Sequence, residues 1–135
     1  MKMKFLTAAI SASALLMSAP LPGSAEGLSD LDGNAFIFNP KTQQFLGVIS
    51  SDRYSDKSIC NRYGDYGSKY SDLSLLSQYG DYGSRYSDFS AYNPRAEYPP
   101  IIISSDGEPL AVVSVNSKWE GIHPGSLFGI FCEQR

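Results

Sequence analysis

Between Arg53 and Asn93 a sixteen-residue unit recurs almost unchanged, and it limits what the rest of the chain can become. One copy reads SICNRYGDYGSKYSDL from Ser58 to Leu73, and the next reads SLLSQYGDYGSRYSDF from Ser74 to Phe89. A fragment ending Arg53-Tyr54-Ser55-Asp56 precedes them. Another, starting Ser90-Ala91-Tyr92-Asn93, follows and breaks off at Pro94. All nine tyrosines lie between 54 and 98. Ring packing, more than aliphatic burial, is therefore expected to hold this segment together.

The unit has end signals for short helices. Asp56, Asp72 and Asp88 suit N-caps, because a carboxylate there accepts from free backbone N–H groups. Gly64 and Gly80 suit the left-handed position that ends a helix. This parse predicts two-turn helices over 57–63 and 73–79, each followed by an Asp-Tyr-Gly-Ser corner. A rival parse makes Tyr63, Tyr66 and Tyr70, and again Tyr79, Tyr82 and Tyr86, one face of a continuous helix. Gly64 and Gly67 inside such a helix would each cost about 1 kcal/mol relative to alanine, which favours the short turns. Two full copies fall short of the three repeats a solenoid needs. The expectation is decorated turns set on a β scaffold.

The flanks supply that scaffold. Ala35–Phe38 and Gln44–Ile49 are apolar runs rich in strand formers, with Asn39-Pro40-Lys41-Thr42 suited to a type I turn between them. Phe36 and Phe38 should share a face. After Pro99-Pro100, Ile101–Ile103 and Leu110–Val115 flank Asp106-Gly107, whose tolerance of positive φ marks a hairpin. Pro124 suits the first position of a helix. Leu127, Phe128, Ile130 and Phe131 follow at helical spacing, and this helix should cover the sheet. The fold class is α+β, mainly β: two β-hairpins forming a small antiparallel sheet, an intervening repeat of short helical turns, and a C-terminal helix.

The first residues do not belong to that domain. Lys2 and Lys4, an apolar run of 13 residues from Phe5 to Met17, and Gly23-Ser24-Ala25 read as a signal peptide spanning 1–25, cut after Ala25. The run is too short to span a bilayer, which needs about 20 residues. The remaining 26–135 is expected to form one domain, of which 53–93 is the repeat region, opened by the polar stretch 26–34 as a loose leader. It carries 9 basic and 14 acidic side chains. That balance argues against nucleic acid and against an anionic membrane as partner. Cys60 and Cys132 are the only cysteines, and in an exported protein they are expected to pair.

Reactive clusters are scarce. The single histidine, His123, stands at a helix entry with no nucleophile motif beside it. There is no CxxC or HExxH string, and no cofactor is implied. Asp56, Asp72 and Asp88, like Asp65 and Asp81, are sixteen apart and would form rows if the copies stacked. Such rows can bind calcium, although no known calcium loop is present. A small hydrolase using Asp65 or Asp81 with a tyrosine is a further alternative. The tyrosines carry the stronger case. Tyr63, Tyr66, Tyr70, Tyr79, Tyr82 and Tyr86, set among serine and glycine, have the composition of adaptable recognition surfaces. The expected role is a non-catalytic binding or envelope-associated module, facing a glycan, a peptide or a cell-envelope component.

The units Tyr63–Ser71 and Tyr79–Ser87, followed by Pro99-Pro100-Ile101 and the Asp106-Gly107 hairpin ending Val115-Asn116, resemble a group of small uncharacterised bacterial exported proteins. These carry the same tyrosine-glycine repeats between two hairpin-like segments. The resemblance covers roughly Phe45 to Asn116 and implies a bacterial origin and one domain. It implies no activity and no site.

Overall fold

The computed structural model describes residues 29–132. The signal peptide expected at 1–25 lies outside the described residues.

Four short strands form one antiparallel sheet: β1 (Ala35–Asn39), β2 (Gln44–Val48), β3 (Ile101–Ser104) and β4 (Pro109–Val112), in the order β2-β1-β3-β4. β1 pairs with β2 on one side and β3 on the other, with Ile37 opposite Ile102. Side chains alternate across the sheet. Ala35, Ile37 and Asn39 are buried on one face, while Phe36 and Phe38 share the half-buried face. Asn39 Oδ1 accepts from the N–H groups of Lys41 and Thr42, which turns the chain towards β2. Gly107, at φ +92°, turns it between β3 and β4, with the Gly107 N–H donating to the Ser104 carbonyl at 2.8 Å. β4 stops at Val112 rather than Val115. Val113 leaves to bridge Ile122, and the Val115 N–H donates to the Ala91 carbonyl. Residues 29–34 are not a loose leader. The Gly33 N–H donates to the Ile49 carbonyl at 2.7 Å, and Asp32 accepts from the backbone and hydroxyl of Ser51.

Between β2 and β3 the chain forms no helix, so the turns expected over 57–63 and 73–79 are replaced by something else. The backbone runs as a chain of three-residue turns. Ser58 N–H donates to the Ser55 carbonyl, Asn61 to Ser58, Gly64 to Asn61, and Ser74, Ser77 and Gly80 continue the pattern. In most of these turns a serine or asparagine at the first position takes the N–H two residues ahead, as Ser58 does from Cys60 at 2.9 Å and Ser74 from Leu76 at 3.0 Å. Serine and asparagine compete with helical bonds in this way, and here they recur too often for a helix to form. Asp56, Asp72 and Asp88 cap nothing; all three point to solvent. Neither Gly64 nor Gly80 is left-handed.

Sixteen is five triplets and one residue over. The extra residue is the glycine of Gly67-Ser68 and Gly83-Ser84, where one carbonyl serves two donors. Gly64 accepts from Gly67 at 3.4 Å and Ser68 at 3.1 Å, and Gly80 from Gly83 at 3.3 Å and Ser84 at 3.0 Å.

This ribbon also coils on itself. A Cβ placed on Gly64 would lie 3.2 Å from the Asp56 carbonyl oxygen, and on Gly80 3.2 Å from that of Asp72. On Gly67 it would meet the Ile59 carbonyl at 2.7 Å, and on Gly83 that of Leu75 at 2.6 Å. Each contact spans eight residues, so one sixteen-residue unit makes two coils. Ile59, Gly67, Leu75, Gly83 and Ala91, eight apart, are all buried. Ile59, Leu75 and Ala91 enter the same cluster as Ile37, Leu46, Ile102, Val113 and Leu127. The repeat thus supplies a third of the buried core cluster and is not a decoration on it.

The C-terminal helix α1 (Pro124–Cys132) begins at the expected proline. It buries Leu127, Phe128 and Phe131 in the common cluster with Ile37, Leu46 and Ile102 of the strands. A disulfide joins its last residue, Cys132, to Cys60 in the first full repeat. Helix and ribbon are therefore fastened to each other as well as sharing a core with the sheet.

Candidate functional site

The coil period decides which tyrosines reach solvent. Tyr54, Tyr63, Tyr70, Tyr79 and Tyr86 are between 82% and 91% exposed. They are separated by nine, seven, nine and seven residues, an average of eight, so each coil presents one ring. Each closes a three-residue turn, as in Asn61-Arg62-Tyr63 and Ser68-Lys69-Tyr70. The residue before each ring is Arg53, Arg62, Lys69, Gln78 or Arg85, and an aspartate follows two residues after: Asp56, Asp65, Asp72, Asp81 or Asp88. All of these flanking side chains are exposed. Along the chain each exposed ring is thus preceded by a side-chain donor and followed, two residues on, by a carboxylate.

These flanking charges do not neutralise one another by contact. Among the described residues the ion pair is Lys118–Glu97, which involves none of these flanking side chains. Two cations instead lie over their own tyrosines, Lys69 Nζ at 5.5 Å from the Tyr70 centroid and Arg53 at 5.9 Å from that of Tyr54. Such contacts at exposed sites contribute about 0.5–1 kcal/mol and cover one face of each of these two rings.

Three open clefts are bordered by these rings, at sixteen-residue intervals in the sequence. The first, about 270 Å³, lies between Tyr54 and Tyr63 with Arg53, Asn61 and Arg62. The second, about 350 Å³, lies between Tyr70 and Tyr79 with Lys69, Asp72 and Gln78. The third, about 600 Å³, has Tyr86 on one side with Arg85 and Asp88, and Asn93, Pro94 and Arg95 on the other. Arg95 stands there in the place of Tyr63 and Tyr79, so the last cleft keeps one ring and gains a guanidinium.

Four of the six tyrosines singled out from the sequence, Tyr63, Tyr70, Tyr79 and Tyr86, are among these exposed rings. The other two are not. Tyr66 is half-buried, edge-on to Phe45 with ring centroids 5.1 Å apart, and it passes over Gly47, where a Cβ would lie 2.7 Å from its own. Tyr82 is buried, with its hydroxyl 2.9 Å from Thr42 Oγ1. Both belong to the packing between ribbon and sheet. Tyr54 was not among the candidates, yet it carries the same signal: Arg53-Tyr54-Ser55-Asp56 matches the string around Tyr70 and Tyr86.

His123 serves the fold. Its Nδ1 accepts from the Gly125 N–H at 2.9 Å, its carbonyl accepts from Leu127, and its ring meets Tyr92 edge-on at 6.1 Å. Burial of Tyr92 pushes its phenol above the ordinary value. Neither Asp65 nor Asp81 is hydrogen-bonded to His123 or to a tyrosine, and among the described residues no three acidic, histidine or cysteine side chains gather into a group able to hold a metal ion.

In comparisons with known proteins, no protein-family model, curated protein or solved structure matches this chain.

Proposed function

We propose that this protein is a non-catalytic binding module, exported and associated with the cell envelope, and that the five exposed tyrosines are its contact surface. One observation carries the reading. The same ribbon that buries Tyr82 holds five other rings almost fully in water, although burying a large apolar side chain is worth about 1.5–3 kcal/mol. A ring with a polar tip, held on a fixed backbone with flanking donors and acceptors, loses little entropy when it is covered by a partner. Export agrees with the Cys60–Cys132 disulfide, since such bonds persist in oxidising compartments. Among the described residues no helix is long and apolar enough to cross a membrane. The hydrolase alternative has less in its favour, because among the described residues no hydrogen bond joins Asp65 or Asp81 to His123 or to a tyrosine.

The test is a glycan and peptide array probed with the disulfide-bonded protein and with a variant carrying serine at Tyr63, Tyr70 and Tyr79. Binding by the parent that the triple variant loses, at an unchanged melting temperature, supports the reading. Binding that survives the triple substitution overturns it.

A further inference from the structure

We infer that the five exposed tyrosines are sites of oxidative cross-linking, through which copies of this chain are joined covalently by dityrosine bonds. The reactivity of these rings is separate from what they bind, so either property can fail without the other.

A phenol couples only where an oxidant reaches it and a second ring can meet its edge. Tyr54, Tyr63, Tyr70, Tyr79 and Tyr86 stand almost wholly in water, and among the described residues none of their hydroxyls makes a hydrogen bond. Arg53 and Lys69 lie over the ring faces of Tyr54 and Tyr70, whereas coupling takes place at the ortho carbons on the ring edge. Tyr66 and Tyr82 lack this freedom. Tyr66 packs against Phe45, and Tyr82 is buried with its hydroxyl hydrogen-bonded to Thr42.

Little else in the chain competes for an oxidant. Thiols and thioethers are the side chains most readily oxidised. Met1, Met3 and Met17 all fall in the expected signal peptide, and the described residues contain no methionine. Both cysteines are held in the Cys60–Cys132 disulfide. Trp119 is half-buried, its indole N–H donates to the Ala96 carbonyl at 3.0 Å, and Lys118 Nζ lies over its ring. One-electron oxidation is thereby directed to the phenols.

Two coupling sites in each copy would build a linear polymer, and more than two build a network. The repeat supplies five. Among the described residues none of these five rings is in contact with another aromatic ring. No pair is therefore poised to couple within one copy, and the second ring comes from a neighbouring one.

The oxidant is hydrogen peroxide acting through a haem peroxidase. Each of two phenols gives up one electron and one proton to become a phenoxyl radical. The two radicals join by a carbon–carbon bond between ortho carbons. The hydrogen on each of those carbons is lost to solvent as each phenol oxygen regains a proton. The peroxide takes up the two electrons and two protons as its O–O bond breaks, so two tyrosines and one peroxide give one dityrosine and two waters.

The experiment treats the disulfide-bonded protein with a haem peroxidase and hydrogen peroxide. It reads dityrosine fluorescence, the ladder of multimers in detergent with reductant, and the linked residues by peptide mass spectrometry. Multimers beyond the dimer are expected, with links at Tyr54, Tyr63, Tyr70, Tyr79 and Tyr86 and none at Tyr66 or Tyr82. Phenylalanine at all five exposed positions should abolish the ladder at an unchanged melting temperature, while Tyr82→Phe should keep it. Protein recovered from the cells that naturally produce it, with no oxidant added, should already contain reductant-resistant multimers joined at the same residues. Links that form as readily at Tyr66 or Tyr82, dityrosine without multimers, or native protein that is wholly monomeric in detergent and reductant would each overturn the inference. None of these outcomes alters the array result, which tests the contact surface by itself.

Discussion

The side-chain amide of Asn39, on β1, donates to the carbonyl of Tyr98 at 2.8 Å, fifty-nine residues away at the end of the ribbon. The same nitrogen reaches the Phe89 carbonyl at 3.2 Å, and Oδ1 holds the turn after β1. Asn39 is fully buried, and each of these bonds is at least partly shielded from water. Asn39→Leu would leave two carbonyls and two N–H groups without their partner, each costing about 1–3 kcal/mol when buried. A loss of about 3 kcal/mol or more in urea unfolding is expected. A change below about 1 kcal/mol would show that this side chain does not join sheet and ribbon.

Two glycines should respond in opposite ways to alanine. A Cβ on Gly67 would stand 2.2 Å from the Asn61 carbonyl oxygen, a backbone atom fixed by the next turn. Gly67→Ala should destabilise by about 2–3 kcal/mol through overpacking. Gly129, in α1, has nothing within 4 Å of the added carbon. Gly129→Ala should stabilise by about 0.5–1 kcal/mol through helix propensity. Thermal melts of the two single variants check the pair of signs.

The Cys60–Cys132 bond closes 72 residues of chain. In the chain-entropy account a loop of that length is worth about 4 kcal/mol. Replacing both cysteines by serine should lower stability by about that amount. The readout is the denaturant midpoint of the double variant against the oxidised parent, at a slope that reports any change in the unfolded chain.

Tyr92 makes alkaline stability testable. Burial raises its phenol from the ordinary value of 10.0, so the folded state holds this proton more tightly than the unfolded chain does. Its contribution is intact below the unfolded value and is lost as pH rises through the folded one. Tyr92→Phe keeps the ring against His123 and removes the ionising group. The variant should therefore lose less stability than the parent between about pH 9 and 11, the range in which phenols ionise. Parallel pH profiles for parent and variant would refute the assignment.

Strands and the final helix could be read from local pattern. Ile101-Ile102-Ile103, the Asp106-Gly107 turn and Pro124 each announce an element through side-chain shape or backbone freedom, and each element appears. The repeat was harder because its glycines and aspartates imitate helix ends. Its true local code is the serine, asparagine or glycine at every third position, a spacing masked by the extra glycine at Gly67 and Gly83.

Local chemistry in this chain is sufficient to make the turns, since each Ser or Asn closes its own three-residue loop without help from distant residues. It cannot say which way a ring points. Tyr63 and Tyr66 both close a triplet in the same unit, yet one is in water and the other lies against Phe45. That choice follows from the eight-residue coil, which exists only because Ile59, Leu75 and Ala91 are drawn into a core shared with Ile37, Ile102 and Leu127. Burial of those few apolar side chains orients the ribbon, and the exposed tyrosines are the rings it leaves in water.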